Sequence, residues 1–210
     1  MSPPSDIQRT PAANVAARPL AKLSAAAPAT FRPHLDLPEE AAAAYDASKD
    51  ATEALAALET GGFLLPAVRL LAHALPRREA VWWGCMCARH TNPALAAAEV
   101  ACLTAAELWV RQPTDENRRA AFAGAEASGF ATPAAWACAA VFWNGDSMSP
   151  LGQPAVPPAP HLSGLALAGA VTLASVHGQP QNQRRRLVAF IASARDIATG
   201  GNGRMEPEAT

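Results

Sequence analysis

Charge is scarce in these 210 residues and very nearly balanced: 17 Lys and Arg stand against 18 Asp and Glu, for a net of −1. Gripping a phosphate backbone takes a clear cationic surplus on one face, so a generic nucleic-acid binder is excluded. Lysine is confined to Lys22 and Lys49, and its near replacement by arginine, with the excess of alanine and proline, resembles a GC-rich bacterial coding bias. Long apolar runs are missing as well. The most apolar segment, Leu162 to Val176, is alanine-heavy and falls short of the roughly 18 to 20 apolar residues of a membrane span. The first residues, MSPPSDIQRT, hold no basic stretch leading into an apolar one, so no secretory signal is read there. A cytoplasmic protein that meets neither membrane nor nucleic acid is the expectation. Cysteine is limited to Cys85, Cys87, Cys102 and Cys138, none in C-x-x-C spacing, which predicts reduced, buried thiols. No sustained alternation of β-branched or aromatic with polar residues occurs either, and that excludes a substantial sheet.

What fills the chain instead is alanine, about a quarter of all positions, which favours helix but brings little buried area per residue. A chain of this length can still close a continuous core without disulfides or metal. Residues 1–34 are Pro, Ala, Ser and scattered Arg, with four prolines before Leu20. Such a segment buries too little to offset its ordering entropy, which predicts a disordered tail. Residues 35–200 read as a single all-α domain, a compact irregular bundle of seven or eight helices packed as antiparallel hairpins, and 201–210 as a frayed end. Ser48 is the expected N-cap of the first helix, which Gly61-Gly62 stop. Leu64, Val68, Leu71 and Leu75 share a face of the second, and Pro76 opens a third through Arg89 and His90. Helices then follow from about Ala94 to Arg111, from Thr114 to Ala127 and, capped by Thr132, from Ala134 to Trp143. Two more are expected over His161 to Val176 and Gln183 to Ala198. Between Asn144 and Pro160 lies a loop with five prolines, long for a compact domain and therefore functional or mobile.

Recognisable chemistry is sparse. Cys85 and Cys87 are two residues apart, about 200° around a helix, so they cannot share a metal ion, and no second close-spaced ligand pair exists. His34, His73, His90, His161 and His177 are dispersed, without an H-E-x-x-H pattern. Ser147 and Ser149 lack the G-x-S-x-G setting of a nucleophile elbow, and no glycine pattern cradles a nucleotide. No cofactor and no metal are implied. The run Trp82-Trp83-Gly84-Cys85-Met86-Cys87-Ala88-Arg89-His90 reads as a helical aromatic cluster of the core, with a reactive Cys87 beside Arg89 as the alternative. Arg184, Arg185 and Arg186 form the one basic run, read as a solvated face or as a dock for an acidic surface. Five Trp against one Tyr exceed what packing of such a bundle needs, and Trp and Arg are enriched at interface hot spots.

Pro76-Arg77-Arg78-Glu79-Ala80-Val81-Trp82-Trp83 running into Cys85-Met86-Cys87-Ala88-Arg89 is followed by Ala135-Trp136, Phe142-Trp143, Ser149-Pro150 and a small-residue helix before Arg185 to Ile197. Over about Leu64 to Gly200 this resembles an uncharacterised bacterial domain family found beside type VI secretion genes, including those of spike and PAAR-type proteins. The resemblance implies a genomic setting and carries no catalytic residues. The expectation is a non-enzymatic accessory protein, a cytoplasmic adaptor or chaperone-like factor whose partner is a spike, PAAR-type or effector protein. Trp82, Trp83, Arg89, Trp143, Ser149, Pro150 and Arg184 to Arg186 are its expected contact residues. The alternatives are an enzyme or effector with a Cys, Arg and His site formed only in three dimensions, and a homodimer joined through its Trp-bearing or small-residue helices.

Overall fold

In the computed structural model, residues 18–208 are described. The fold is all-α, and the described residues contain no strand. Among the described residues nine α-helices run in chain order: α1 (Glu39–Asp46), α2 (Ala51–Thr60), α3 (Leu64–Ala74), α4 (Arg77–Thr91), α5 (Ala97–Arg111), α6 (Asp115–Ala127), α7 (Pro133–Phe142), α8 (Leu162–Val176) and α9 (Gln183–Ala198). That is one more than the upper end of the expected range, because α1 carries no long apolar stripe in its sequence and buries only Ala41 and Tyr45.

Local chemistry sets the ends of these helices. The Asp50 carboxylate accepts from the N–H groups of Thr52 and Glu53, at 2.8 and 2.9 Å, and so caps α2. Ser48, the expected cap, instead closes α1 by donating its hydroxyl to the Ala44 carbonyl. Thr114 and Thr132 cap α6 and α7 by accepting from Asn117 and Ala135, and the span of α9 is the one its sequence predicts.

Helices α7 and α8 form the centre. Almost every residue of α7 is buried, and α8 is buried around most of its circumference. A helix apolar on all sides belongs inside a bundle, and small side chains let its neighbours come close. Around this pair, α8 packs on α3, α4 and α9, while α7 packs on α4, α5 and α6. At Gly84 a methyl group would meet the Leu167 side chain at 2.9 Å, so α4 and α8 can approach this closely only without a side chain at that point. Larger side chains fill the periphery of the core: Trp83, Tyr45, Phe190 and a set of leucines are fully buried. The Trp83 indole N–H donates to the Phe190 carbonyl at 2.9 Å, which removes the cost of burying it.

Within the described residues both expected loose ends are packed; residues 209–210 of the expected frayed end lie outside them. Residues 1–17 of the predicted tail lie outside the described residues. From Leu20 onward the segment is packed: Leu20, Phe31 and Leu35 are buried, and Lys22 N–H donates to Ala198 while Ser24 N–H donates to Ala74. Two short 3₁₀ turns, Pro28–Thr30 and Arg32–His34, bring Phe31 and Leu35 inward, and Tyr45 donates its hydroxyl to the Pro28 carbonyl. Few apolar residues suffice because each is buried against the helices. At the other end, residues 202–208 lie on α4 and α9 rather than fraying. Trp82 donates to the Asn202 carbonyl, Ser193 donates to the Gly203 carbonyl, and Glu208 pairs with Arg186. Gly203 has φ 62 and sits where a side chain would run into Ile197.

The packed segment before α1 is checked by Leu35→Ala. Truncation of this fully buried residue is expected to lower unfolding free energy by about 2–5 kcal/mol, measured by urea denaturation. A change near zero would mean that the segment is detached in solution.

Candidate functional site

Helix α6 begins with Asp115 followed by Arg118 and Arg119, at spacings that place all three on one side of its first turns. The Asp115 carboxylate receives both: Arg119 Nε donates to one oxygen at 2.7 Å, and Arg118 donates to the other through Nε at 2.8 Å and Nη2 at 2.5 Å. The hydrogen bonds from Arg119, then from Arg118, hold the Asp115 carboxyl below its ordinary range, so the carboxylate stays ionised. With its planar fork thus oriented, Arg118 is 2% exposed and reaches two further acceptors. Its Nη1 donates to the Phe142 carbonyl at 2.6 Å, at the end of α7, and its Nη2 to the Ser147 carbonyl at 2.9 Å. Its guanidinium lies 4.6 Å from the centre of the Phe142 ring. Gly145 runs so close to it that any side chain there would collide. Arg119 Nη1 meanwhile donates to the Ser149 carbonyl at 2.9 Å.

These contacts turn the long loop into a braced one. The Ser147 hydroxyl accepts from the N–H groups of Ser149 and Val156, and Met148 N–H donates to the Val156 carbonyl at 2.8 Å. The strip between, Pro150 to Pro157, is exposed throughout, and it turns at Gly152, φ 83. Leu151 is 79% and Val156 51% exposed. An apolar tip held away from the core at fixed geometry has little conformational entropy left to lose on binding.

Among the expected contact residues, Ser149 and Pro150 belong to this loop, and Trp143, partly buried, packs on the core beside its start. The others lie apart. Trp83 is in the core and unavailable for contact. Trp82 is half-buried along a groove of about 270 Å³ with Lys22, Arg78 and Val110. Arg89 donates to Glu107 at 2.7 Å. The basic run is split: Arg184 is exposed, Arg185 is exposed and paired with Glu208, and Arg186 is 2% exposed. Arg186 donates to the Glu208 carboxylate at 2.5 and 3.0 Å and to the His177 carbonyl at 2.6 Å. The patch offered to a partner therefore shrinks to Arg184 and half of Arg185.

Cys87, Arg89 and a histidine do not assemble into a reactive centre. Burial pushes the Cys87 thiol well above its ordinary value, the opposite of an activated nucleophile. Arg89 faces Glu107, and His90 turns its Nδ1 to the Glu206 carbonyl of the C-terminal segment. No group of three His, Cys, Asp or Glu among the described residues is arranged to hold a metal ion. None of the described helices is long and apolar enough to cross a membrane.

A second constellation has no counterpart in the sequence reading. His34, His73 and His161 stack as a column with His34 in the middle, ring centres 4.9 and 4.8 Å apart. Three elements far apart in the chain supply them, the turn Arg32–His34, α3 and the start of α8, so no spacing rule could have joined them. His73 lies against Gly164, where any side chain would overlap its ring. Burial, then the proximity of His34 and His161, lowers the His73 imidazole from 6.5 to about 4, and burial likewise lowers His34.

By sequence, the chain belongs to a family of unknown function (DUF6931), which it matches over residues 54–198. No curated protein and no solved structure matches it. The matched span includes α6, α7 and the braced loop, whereas His34 and Glu208 fall outside it.

The histidine column has a definite pH signature. An imidazole held neutral in the fold binds fewer protons than in the unfolded chain, so its stabilisation is complete above the unfolded value and is lost on acidification. Stability is expected to decline between pH 6.5 and about 4, before most carboxylates titrate. Urea midpoints across that window, with an NMR titration of the His73 ring, would check it, and a ring titrating near 6.5 would refute neutral burial.

The brace gives a second expectation. Arg118→Met removes the donors to Phe142 and Ser147 and is expected to cost about 3 kcal/mol or more, since a carboxylate and two carbonyls lose a charged partner. Amide hydrogen exchange should accelerate first over residues 145–157.

Proposed function

We propose that this protein is a non-enzymatic helical accessory protein of a type VI secretion system, an adaptor or chaperone-like factor. It works in the cytoplasm and holds a spike, PAAR-type or effector component through the loop between α7 and α8. The observation that carries a binding role is the loop itself. Leu151 and Val156 are exposed apolar side chains on a backbone fixed by Arg118, Arg119 and Ser147. Isolated exposed apolar residues are ordinary on protein surfaces; two of them on one rigid projecting turn form a small anchor for a groove on a partner. The strip Pro154-Ala155-Val156-Pro157-Pro158 adds stiff, proline-defined backbone that costs little entropy to bind. Support for the secretion setting comes from the resemblance carried by Pro76 to Arg89, Trp136 to Trp143 and Ser149-Pro150.

Co-purification from a host that expresses the neighbouring secretion genes tests this reading. The wild-type chain is expected to recover a spike, PAAR-type or effector protein in stoichiometric amount, and the double variant Leu151→Asp, Val156→Asp to lose at least about tenfold of that recovery. Both positions are solvent-exposed, so the helical circular dichroism should not change. Undiminished recovery by the double variant would remove the loop from the interface, and recovery of the chain alone would remove the adaptor reading.

A further inference from the structure

Residues 18–37 form an arm laid on the bundle, and its attachments gather along α3. Arg69 donates to the Leu35 carbonyl at 2.8 Å and to the Asp36 carboxylate at 2.9 Å. One turn further on, the ring of His73 stacks on His34, and the next residue, Ala74, accepts from Ser24 N–H at 2.8 Å. On its other side His34 meets His161, at the start of α8. The middle ring of the histidine column therefore belongs to the arm, and the two outer rings belong to the bundle.

Such a stack holds only while its rings are neutral, because two imidazolium ions face to face repel. Nothing acidic offsets that repulsion. The carboxylates nearest in the chain are engaged elsewhere, Asp46 at the end of α1 by Arg32 at 2.7 Å and Asp36 by Arg69. Helix α8 carries no charged side chain, and Arg77, which lines a cavity with His73 at the start of α4, adds positive charge. His73 has no room to adapt, since the Gly164 backbone stands against its ring, and its Nε2 is buried without a hydrogen-bond partner. An imidazolium donates from both nitrogens, so a proton gained at His73 leaves a buried donor unmatched. Burial, then the neighbouring imidazoles, lowers both His34 and His73.

We infer that the column is an acid-operated joint: protonation of its rings drives the arm off α3 and α8 while the helices of the bundle stay packed. The arm remains tied to α1. Tyr45 donates its hydroxyl to the Pro28 carbonyl at 2.8 Å, and the hydrogen bond from Arg32 holds the Asp46 carboxyl below its ordinary range, so that pair outlasts the column on acidification. Release uncovers the apolar surface against which Leu20, Phe31 and Leu35 are now buried. A histidine cluster at an interface is the usual means by which a protein reads pH. Here the interface joins the bundle to a segment outside the span matched by the family. The inference does not depend on the adaptor reading.

Amide hydrogen exchange on the full chain, at about pH 7 and about pH 4.5 and corrected for the intrinsic rate, tests it. The reporters are Lys22 and Ser24, whose N–H groups bond across to α9 and α3. Their protection is expected to fall by at least about tenfold in acid, while amides of α7 and α8 keep theirs. His34→Phe leaves a flat ring in the column that cannot titrate, and should hold the arm in place at the lower pH. His161→Gln removes one charge from the half-buried end of the column, and should move release to lower pH even if the His34 variant packs poorly. Unchanged protection of Lys22 and Ser24 in the wild-type chain would overturn the proposal. So would their loss together with α7 and α8, which is unfolding of the whole domain, or wild-type release in both variants.

Discussion

Alanine governs this fold. A side chain of one carbon buries little area, so a bundle whose central helices are made of it gains stability only if backbones approach closely and larger residues close the gaps from outside. Helices α7 and α8 are that centre, apolar around nearly their whole surface, and contacts such as Gly84 against Leu167 show how near the neighbours come. Trp83, Phe190, Tyr45 and the leucines of α2 and α3 then supply the area that the centre cannot. Close approach also has a consequence at the helix ends. Loops must leave a crowded centre, and the one between α7 and α8 does so under the control of two arginines from α6.

Much of the architecture was legible in the sequence, because the signals are local. Thr114 and Thr132 cap the helices they were expected to cap. Gln183 to Ala198 forms a helix as its apolar stripe required, and the Trp82 to His90 run lies on one largely buried helix, where burial pushes the Cys85 and Cys87 thiols up. Misreadings arose where the decisive partner was distant in the chain. Residues 18–35 carry too few apolar side chains to suggest packing, yet Leu20, Phe31 and Leu35 are core, and the backbone of Lys22 and Ser24 is tied to the ends of α9 and α3. Arg186 looks like surface within a run of three arginines until Glu208 is brought to it across 22 residues.

The site was legible in part. Ser149, Pro150 and the proline content marked the loop, whereas its brace was hidden: Asp115, Arg118 and Arg119 follow an ordinary surface pattern, i to i+3 and i+4, and nothing local says that Arg118 turns inward. A signal existed in Gly145, whose lack of a side chain admits the guanidinium, but only the fold shows what it admits. The histidine column is the clearest limit. Three dispersed histidines on three elements become one stack through tertiary packing alone, and burial there lowers the His73 imidazole, which no local pattern foretells.

The pairing of Arg186 with Glu208 also makes the place of α9 depend on the segment that follows it. Without that carboxylate Arg186 would face only the backbone carbonyls of Ser175, His177 and Gln179, and a buried charge without its counter-ion is costly. Residues 202–208, lying on α4 and α9, therefore do more than cover a surface: they bring in the one carboxylate that lets a guanidinium 2% exposed remain inside the bundle.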